Sequence, residues 1–360
     1  MNSNGILYAG FDPGHSANKF ARVQAGEITT YALPATVGLA THKPREGLTL
    51  SGVVRAQKTG RAPFRVVFDG LEWLVGPNVD QFTKPTDRLD LDRFTDSPEL
   101  RASFYAGAAR LVNGGAHHLA LAIALPVTVL EDKSEADRIE RGIKSWLVGE
   151  HVFSVDGVET VLTVTRVRAK IPQPVATWFD WGLGATGQWI KGKEAQRAPT
   201  LIVDEGFNTL DVLVIENGRI VDRVGGGEML GMSRAAEELM ALLRHRYGGE
   251  LVELPRANEL IKMVINGRPA EVYVEGKLTD VSREARSCLQ SLEADVDNFL
   301  IRSLGKTRMA AYRVLLTGGG ALALAARLLQ RFPAATVMDE PVLANARGLA
   351  KLAARPGFLT

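Results

Sequence analysis

Two segments of the chain, 192 residues apart, carry an aspartate, a glycine and a further polar side chain at the same intervals. Counted from the aspartate, the matching positions lie 2, 7, 14 and 16 residues downstream in both segments. The matched residues are Asp12, Gly14, Lys19, Gly26 and Ile28 in the first segment, and Asp204, Gly206, Asp211, Gly218 and Ile220 in the second. Two unrelated β-hairpins can share such residue types, but the common spacing favours a duplicated domain.

The two Asp-x-Gly turns predict a pair of anion sites. Glycine in a tight turn lets the backbone approach a phosphate closely, and consecutive N–H groups then bind its oxygens. Lys19 supplies a positive charge to the first turn, and Thr209 supplies a hydroxyl donor to the second. The carboxylates of Asp12, Asp204 and Asp211 offer the hard oxygens that Mg²⁺ prefers, directly or through water. Facing each other, the two turns would hold a polyphosphate from both sides.

A run of three glycines, Gly318 to Gly320, lies between an apolar strand pattern and a helical pattern. Backbone without side chains lets an adenine and its α-phosphate lie against the chain at a helix N-terminus. The alternative is a turn at the end of a strand that binds no ligand. The sequence alone leaves both interpretations open.

Strand patterns surround both aspartate turns. Apolar runs at 6–11, 20–24 and 27–33 predict a three-stranded meander around the first turn, and runs at 201–203 and 210–216 repeat it around the second. Ligands commonly bind in the cleft between two such halves.

Helical spacing predicts the remaining elements, while the stretch 247–280 has no regular pattern. Residues 34–98 are rich in glycine, proline and charge, and they predict only a small hairpin at 66–75. Ser134 is the expected N-cap of one helix. The predicted helices span 100–112, 134–148, 175–181, 233–246, 282–304, 321–330 and 345–354.

Composition excludes several classes of protein. The chain has 360 residues, a net charge of +2 and 46% hydrophobic residues, which excludes a disordered chain and gives no general case for direct nucleic-acid binding. Cys288 is the single cysteine, so no internal disulfide or cysteine-based zinc site is possible. The longest apolar run, 119–130, contains a proline and is too short to cross a bilayer, and no signal-peptide pattern starts the chain. We therefore expect a cytoplasmic protein without membrane contact.

Five segments together resemble motifs of the actin superfamily, which also contains sugar kinases and heat-shock chaperone ATPases. They occur in the family's order and span nearly the whole chain. The segments are 11–19 and 203–211 for the two phosphate motifs, 315–321 for the adenosine motif, and 171–176 and 341–348 for the two connecting motifs. The Leu125-Pro126-Val127 turn and the Ala344-Asn345-Ala346-x-Gly348 ending look most like ParM/StbA-type plasmid-segregation proteins and archaeal actin-like proteins.

The resemblance implies an α/β, two-lobed actin-like fold, a duplicated ribonuclease-H-like unit with a nucleotide cleft between the lobes. Lobe I would span 1–175 with an inserted subdomain at about 34–98. Lobe II would span 176–338 with an inserted helical subdomain at about 232–310, and 339–360 would return to lobe I.

The resemblance also assigns roles to residues. It implies ATP as ligand, with GTP left open, and Mg²⁺ held through waters by Asp12 and Asp204. Gln173 would orient the attacking water, so Gln173, Asp204 and Asp12 are the expected catalytic residues. The expected nucleotide-binding residues are Gly14, His15, Ser16, Asn18, Lys19, Gly206, Asn208, Thr209, Asp211, Gly318, Gly319, Gly320, Glu259 and Lys262.

The implied function is ATP hydrolysis coupled to filament assembly for plasmid DNA segregation. The expected partners are further copies of the chain and a DNA-bound adaptor protein.

Two residues depart from the family pattern. Phe207 stands where a small residue is usual, and it would either crowd the γ-phosphate site or turn outward. His15 replaces a small or hydroxyl residue and is expected to pack beside the phosphate rather than to act as a base.

Other functions stay open at this stage. A sugar-type small-molecule kinase of the same superfamily would need a catalytic aspartate and substrate loops, for which we find no match. A non-polymerising nucleotide-binding regulatory protein is compatible with Phe207. A duplicated α/β protein that binds no nucleotide is the third alternative.

Overall fold

The structure is a computed structural model that describes residues 5–40, 61–86, 91–304 and 311–359, with the backbone alone for 222–227. The strands are β1 (Ile6–Pro13), β2 (Ala17–Gln24), β3 (Glu27–Pro34), β4 (Val37–Leu39), β5 (Phe64–Phe68), β6 (Leu71–Val75), β7 (Gly115–Leu125), β8 (Gly149–Val155), β9 (Val158–Pro172), β10 (Thr200–Glu205), β11 (Leu210–Glu216), β12 (Arg219–Glu228), β13 (Glu271–Val274), β14 (Lys277–Asp280), β15 (Arg313–Thr317) and β16 (Thr336–Val337).

The helices cover the sheets and join them. They are α1 (Pro98–Val112), α2 (Val127–Glu131), α3 (Lys133–Leu147), α4 (Gln173–Gly182), α5 (Lys193–Arg197), α6 (Met232–Tyr247), α7 (Leu254–Ile265), α8 (Ser282–Leu304), α9 (Ala321–Arg331) and α10 (Ala344–Ala353). Short 3₁₀ turns lie at Val79–Gln81, Leu91–Phe94 and Pro341–Leu343.

Two mixed sheets form the centres of two lobes, which confirms the predicted fold class. The lobe I sheet has nine strands in the order β3-β2-β1-β7-β9-β8-β5-β6-β4. The lobe II sheet has five strands in the order β12-β11-β10-β15-β16. In each lobe an antiparallel meander of three strands is followed by parallel neighbours, β7 beside β1 and β15 beside β10.

The internal repeat extends to the register of the two meanders. Asp12 lies opposite Lys19 across β1 and β2, and Asp204 lies opposite Asp211 across β10 and β11. The next hairpin turn is also repeated: Ala25-Gly26 and Asn217-Gly218 both have positive φ angles, which the right-handed twist of a two-residue hairpin requires. The duplication predicted from spacing is therefore present in the backbone pairing.

Each sheet has its own apolar core. In lobe I the sheet packs against α1 and α3, where Phe11 stacks on Phe20 with ring centroids 4.7 Å apart and Phe104 adds a third ring. In lobe II the sheet packs against α6, α7, α8 and α9. These cores make the strands that carry the aspartate turns rigid.

In each lobe, one face of the sheet packs against that lobe's own helices, and α4 and α10 cover the opposite face. Ala120, Ala122 and Ala124 of β7 pack against them from lobe I, while Ile202 of β10 packs against Trp178 of α4 from lobe II. The two helices cross closely, because a Cβ atom at position 348 would collide with the carbonyl oxygen of Ala176.

A buried ion cluster fixes the same helix crossing. Asp180 of α4 accepts from Arg347 at 2.8 Å and from Lys351 at 2.7 Å, both on α10. The Asp180 side chain is 3% exposed, so the cluster is shielded from solvent. Charged pairs in such surroundings hold one geometry more strictly than surface pairs do.

Three details differ from the sequence analysis. Helix α3 is capped by Asp132, whose Oδ1 accepts from the N–H groups of Ser134 and Glu135, so Ser134 is not the N-cap. The stretch 247–280 contains α7 and the β13–β14 hairpin. Strands β4, β5 and β6 extend the lobe I sheet at its far edge, while 41–60 and 87–90 lie outside the described residues.

Among the described helices, none combines the length and the apolar character needed to span a lipid bilayer.

Candidate functional site

A cleft of about 340 Å³ opens between the lobes and is lined by both aspartate turns. The loop after β15, the beginning of α4, the end of α7 and the beginning of α10 complete its walls. Its volume lies in the range of small-molecule sites. Each lobe thus contributes one of the repeated turns to a common cavity, as the duplication predicted.

The first turn joins β1 to β2. The N–H of Gly14 donates to the carbonyl of Ala17 at 3.2 Å and closes the turn. Asp12, at the end of β1, is fully buried, and Lys19 donates from Nζ to its Oδ2 at 3.1 Å. The ion pair places one anionic and one cationic group side by side at the floor of the cleft.

The second turn joins β10 to β11 with the same closing bond, from the N–H of Gly206 to the carbonyl of Thr209 at 2.9 Å. The hydroxyl of Thr209 donates to Oδ2 of Asp211 at 3.0 Å. Asp211 occupies the repeat position that holds Lys19 in lobe I. At this repeat position the second turn therefore carries a second acidic side chain, whereas in the first turn Lys19 neutralises the charge of Asp12.

Three acidic side chains at the second turn have raised pKa values. Burial, with a smaller contribution from the nearby charge of Asp12, raises the pKa of Asp204 to about 6, although the hydrogen bond from Asn345 opposes the shift. Burial and the charge of Asp204 raise the pKa of Asp211 to about 7. Burial raises the pKa of Glu205 well above its usual range, and Asp204 and Asp211 add to the effect. A cation in this part of the cleft would relieve the mutual repulsion.

The glycine loop after β15 lies against the second turn. Gly318 has φ +90°, and a Cβ atom there would collide with the backbone carbonyl of Glu205. The N–H of Gly320 donates to that carbonyl at 3.0 Å. Glycine at 318 is thus required both by its backbone conformation and by the close approach of two loops.

The two helices between the lobes each hold one of the aspartates. Gln173, the first residue of α4, donates from Nε2 to Oδ1 of Asp12 at 2.8 Å. Asn345 of α10 donates from Nδ2 to Oδ2 of Asp204 at 2.8 Å. The side chain of Gln173 is therefore engaged with the first aspartate at the cleft.

Most of the residues predicted from the sequence line this cleft. Those that do are Asp12, Gly14, His15, Ser16, Lys19, Gln173, Asp204, Gly206, Asn208, Thr209, Asp211, Lys262, Gly318 and Gly319. They converge from segments far apart in the chain because nearly all of them lie at or beside the end of a strand or a helix that borders the cleft.

Three predicted residues are not among those that line the cleft. Asn18 is buried within β2, with 3% of its surface exposed. Gly320 immediately precedes α9, and its N–H donates to the carbonyl of Glu205. Glu259 is exposed on α7, one turn before Lys262, and pairs with Arg256 at 3.0 Å.

Apart from Phe207, seven other lining residues have no role predicted from the sequence. They are Ala17, Ile265, Asn266, Leu322, Ala323, Val342 and Asn345. Asn345 belongs to the second connecting motif, and that motif is the signal by which it could have been found. Val342 lies in the same motif and Ala17 in the first phosphate motif, whereas Ile265, Asn266, Leu322 and Ala323 lie in none of the five motifs.

Phe207 lies in the cleft wall and also packs against the lobe II core, so it does not simply turn outward. His15 lines the opposite wall, in the first turn. Phe207 therefore borders both the cleft and the lobe II core at the second turn.

The donor set fits a magnesium ion that is bound together with a phosphate ligand. Among the described residues, no group of three or more histidine, cysteine, aspartate or glutamate side chains is arranged to hold a metal without help. Magnesium is commonly bound by one or two carboxylates, waters and the phosphates of a substrate. Asp12 and Asp204 supply that number of carboxylates on the cleft.

Two family models match the chain in sequence. Residues 10–175 match the actin-like proteins N-terminal domain, and residues 202–330 match the C-terminal domain of the archaeal actin homologue MreB-like family. No curated protein matches the chain.

Solved structures of actin-like proteins share the fold over nearly the whole chain. The archaeal actin homologue Ta0583 in complex with ADP is 16% identical with a TM-score of 0.68, covering 97% of this chain and 99% of that one. Bacillus thuringiensis ParM with ATP is 16% identical with a TM-score of 0.63, covering 96% and 97%. A non-polymerisable quadruple mutant of pCBH ParM is 13% identical with a TM-score of 0.73, covering 96% and 98%. The two family matches and the shared two-lobed fold show that the chain belongs to the actin-like proteins.

Proposed function

We propose that this protein binds ATP with Mg²⁺ in the interlobe cleft and hydrolyses it, and that the nucleotide controls assembly of the chain into filaments. The observation that carries the proposal is the meeting of two repeated Asp-x-Gly turns, one from each lobe, in one cleft. Supporting it, B. thuringiensis ParM has been solved with ATP and Ta0583 with ADP.

The phosphates are bound by the two turns. Backbone N–H groups of residues 15–16 and 207–208 bind phosphate oxygens, and Lys19 supplies a point charge. Binding of a phosphate competes with Asp12 for the Lys19 ammonium, so ligand and aspartate share that cation. The adenosine lies along Gly318 and Gly319, with the end of α7 on its other side. Both ATP and GTP are compatible with these groups.

Asp12 and Asp204 hold the magnesium ion through waters, in the part of the cleft where acidic side chains converge. The ion supplies charge neutralisation for the phosphate oxygens at the reacting end of the nucleotide. The chain itself contributes orientation. Gln173 orients the attacking water through its side-chain amide, and its hydrogen bond to Asp12 keeps that amide at the cleft floor. Hydrolysis of this kind depends on positioning and electrostatics and needs no covalent nucleophile.

We extend the proposal to partners. The chain assembles with further copies of itself, and a DNA-bound adaptor protein links the filament to plasmid DNA in the cytoplasm, as the ParM resemblance implies. That one of the similar structures is described as a non-polymerisable mutant of a ParM supports self-assembly as the property to test.

The proposal is tested with Asp204→Ala, measured as release of phosphate from ATP in magnesium buffer. We expect hydrolysis to be abolished while the circular dichroism spectrum is unchanged, because Asp204 contributes to the cation site and not to a core. The matched control is Asp96→Ala, since Asp96 lies in an exposed surface pair with Arg101 and such pairs contribute little. Normal hydrolysis by the Asp204 variant would refute the role of this turn.

Assembly is tested by pelleting the protein with ATP and with ADP, followed by negative-stain electron microscopy. Filaments that depend on ATP support the proposal. Hydrolysis without filaments would favour the non-polymerising regulatory protein, which the position of Phe207 in the cleft wall makes worth testing. Transfer of phosphate to a sugar panel would favour the small-molecule kinase.

A further inference from the structure

Helix α4 is connected to both aspartates of the cleft, to one directly and to the other through α10. Gln173 reaches Asp12, as described above. One helical turn later, Thr177 donates from Oγ1 to Oδ1 of Asn345 at 2.7 Å, and Asn345 in turn donates to Asp204. Residues at i and i+4 lie on one face of a helix. One face of α4 therefore carries the links to the carboxylates of both lobes.

The direction of each hydrogen bond in the second link is fixed by counting hydrogens. Thr177 has one hydroxyl hydrogen, and Oδ1 of Asn345 can only accept. The Thr177 hydroxyl also lies 3.1 Å from the Thr317 hydroxyl, but the contact with Oδ1 of Asn345 is shorter, and the Thr317 hydroxyl has its own hydrogen, with the carbonyl of Pro341 as an acceptor at 3.1 Å. Thr177 therefore donates to Oδ1 of Asn345, and the Asn345 NH₂ group must face the carboxylate of Asp204. A reversed amide would set two acceptor oxygens against each other.

Burial and close packing hold this link in place. Thr177 is fully buried, Asn345 is 5% exposed and Asp204 is 6% exposed, so water does not compete strongly for their hydrogen bonds. Helix α10 touches α4 at Gly348, which has no side chain, and Asn345 lies three residues before it. Because Gly348 lets the two helices cross closely, Asn345 comes within reach of Thr177.

We propose that Asn345 is a positioning residue for the cation site and that Thr177 sets its orientation. This inference rests on the proposed function: the packed helices α4 and α10 hold the carboxylate of Asp204 in the one orientation in which it faces the magnesium ion. Asn345 does not contact the reacting atoms and acts through Asp204. Since Gln173 is on the same face of α4, a shift of this helix would displace both carboxylates together.

The test separates a hydrogen-bonding role from a packing role by two replacements of Thr177. Thr177→Val keeps the volume and removes the hydroxyl, whereas Thr177→Ser keeps the hydroxyl and removes a methyl group. Affinity for ATP is measured by isothermal titration calorimetry, once with excess Mg²⁺ and once with EDTA. Thr165→Val is the matched control, because Thr165 also donates to an oxygen, the Leu119 carbonyl at 3.1 Å, but lies away from the cleft.

We expect Thr177→Val to weaken binding of magnesium-ATP about fivefold, the usual effect of one lost hydrogen bond, and to leave binding of ATP in EDTA unchanged. Thr177→Ser should bind magnesium-ATP more tightly than Thr177→Val does. Asn345→Ala should weaken magnesium-ATP binding about tenfold or more, since a hydrogen bond to a charged group is lost. Adding Thr177→Val to Asn345→Ala should cause no further loss, because both act through one link.

The inference is overturned if Thr177→Ser binds magnesium-ATP more weakly than Thr177→Val does, which would indicate a packing role. It is likewise overturned if Thr177→Val and Asn345→Ala both bind magnesium-ATP as the wild type does. It is also overturned if each variant loses affinity equally with Mg²⁺ and with EDTA. Those results would leave the proposed function standing, provided that the wild type binds ATP. Failure of the wild type to bind ATP in both buffers would refute the proposed function and the inference with it.

Discussion

Replacement of Glu205 by glutamine is expected to stabilise the protein, and by more as the pH rises. Glu205 ends β10, is 1% exposed, and has no hydrogen-bond partner for either carboxylate oxygen among the described residues. Burial and the charges of Asp204 and Asp211 raise its pKa well above the ordinary value. The folded protein therefore keeps a proton on this side chain that the unfolded chain gives up.

The sign and size of the effect follow from this difference in proton binding. A carboxyl whose pKa is raised by folding makes the folded state least stable at high pH, because the unfolded chain then lowers its free energy by ionising. The free energy of unfolding falls by about 1.4 kcal/mol for each pH unit between the unfolded and the folded pKa of Glu205. Glutamine has the same shape and no proton to lose. The advantage of Glu205→Gln should therefore grow with pH from the ordinary pKa of a glutamate upward, at the rate given above, until the folded protein also ionises Glu205.

The assay is urea unfolding of the wild type and of Glu205→Gln at several pH values, without nucleotide or Mg²⁺. The difference between the two proteins isolates Glu205, because all other titrating groups are shared. Glu205→Leu is the companion variant: it also removes the polar atoms that lack partners and should add about 1–3 kcal/mol at every pH. A difference between wild type and Glu205→Gln that does not change with pH would refute the raised pKa.

Two further predictions concern the helix crossing and a buried histidine. Gly348→Val should lower the free energy of unfolding by about 3 kcal/mol or more, since its side chain collides with the Ala176 carbonyl, and urea unfolding of Gly348→Val against the wild type measures this. His151 donates from Nε2 to the Leu147 carbonyl at 2.8 Å and accepts from the Tyr105 hydroxyl at 2.9 Å, and burial lowers its pKa. Because the lowered pKa favours the neutral ring, the free energy of unfolding should fall as the pH falls below the ordinary histidine pKa of 6.5. The free energy of unfolding of His151→Gln, measured with urea, should depend less steeply on pH in this range. An equally steep dependence in the variant would contradict the prediction.

The sequence predicted the repeated turns well because their geometry is local. Glycine at 26 and 218 is demanded by positive φ angles that few other residues adopt, and glycine at 14 and 206 by the close approach of the carbonyls of Ala17 and Thr209. Since the hairpins are short, correct turns also fix the register that sets Asp12 opposite Lys19 and Asp204 opposite Asp211.

The errors come from features that are not local or that have competing signals. Helix α3 starts at Asp132 because that carboxylate reaches two N–H groups, although Ser134 is an equally good capping residue by type. Helix α7 has no side-chain cap, and the one mark of its start is Pro255 in the first turn, a weaker signal than a capping side chain. The bond between Asn345 and Asp204 joins residues 141 positions apart, and only the crossing of α4 and α10 brings them together.

The duplicated turns have diverged at one position in a way that gives the cleft a direction. Lobe I carries Lys19 opposite its aspartate, and lobe II carries Asp211 at the equivalent place. The same backbone thus offers a cation on one side and additional carboxylates on the other. For the proposed ligand, polyphosphate charge is favoured beside Lys19 and the divalent cation beside Asp204 and Asp211, two carboxyl groups whose pKa values are raised mainly by burial, with the charge of Asp204 adding to the shift at Asp211. Together with the glycine loop and α7, which line the cleft from lobe II alone, this difference in charge favours one orientation of the proposed ligand.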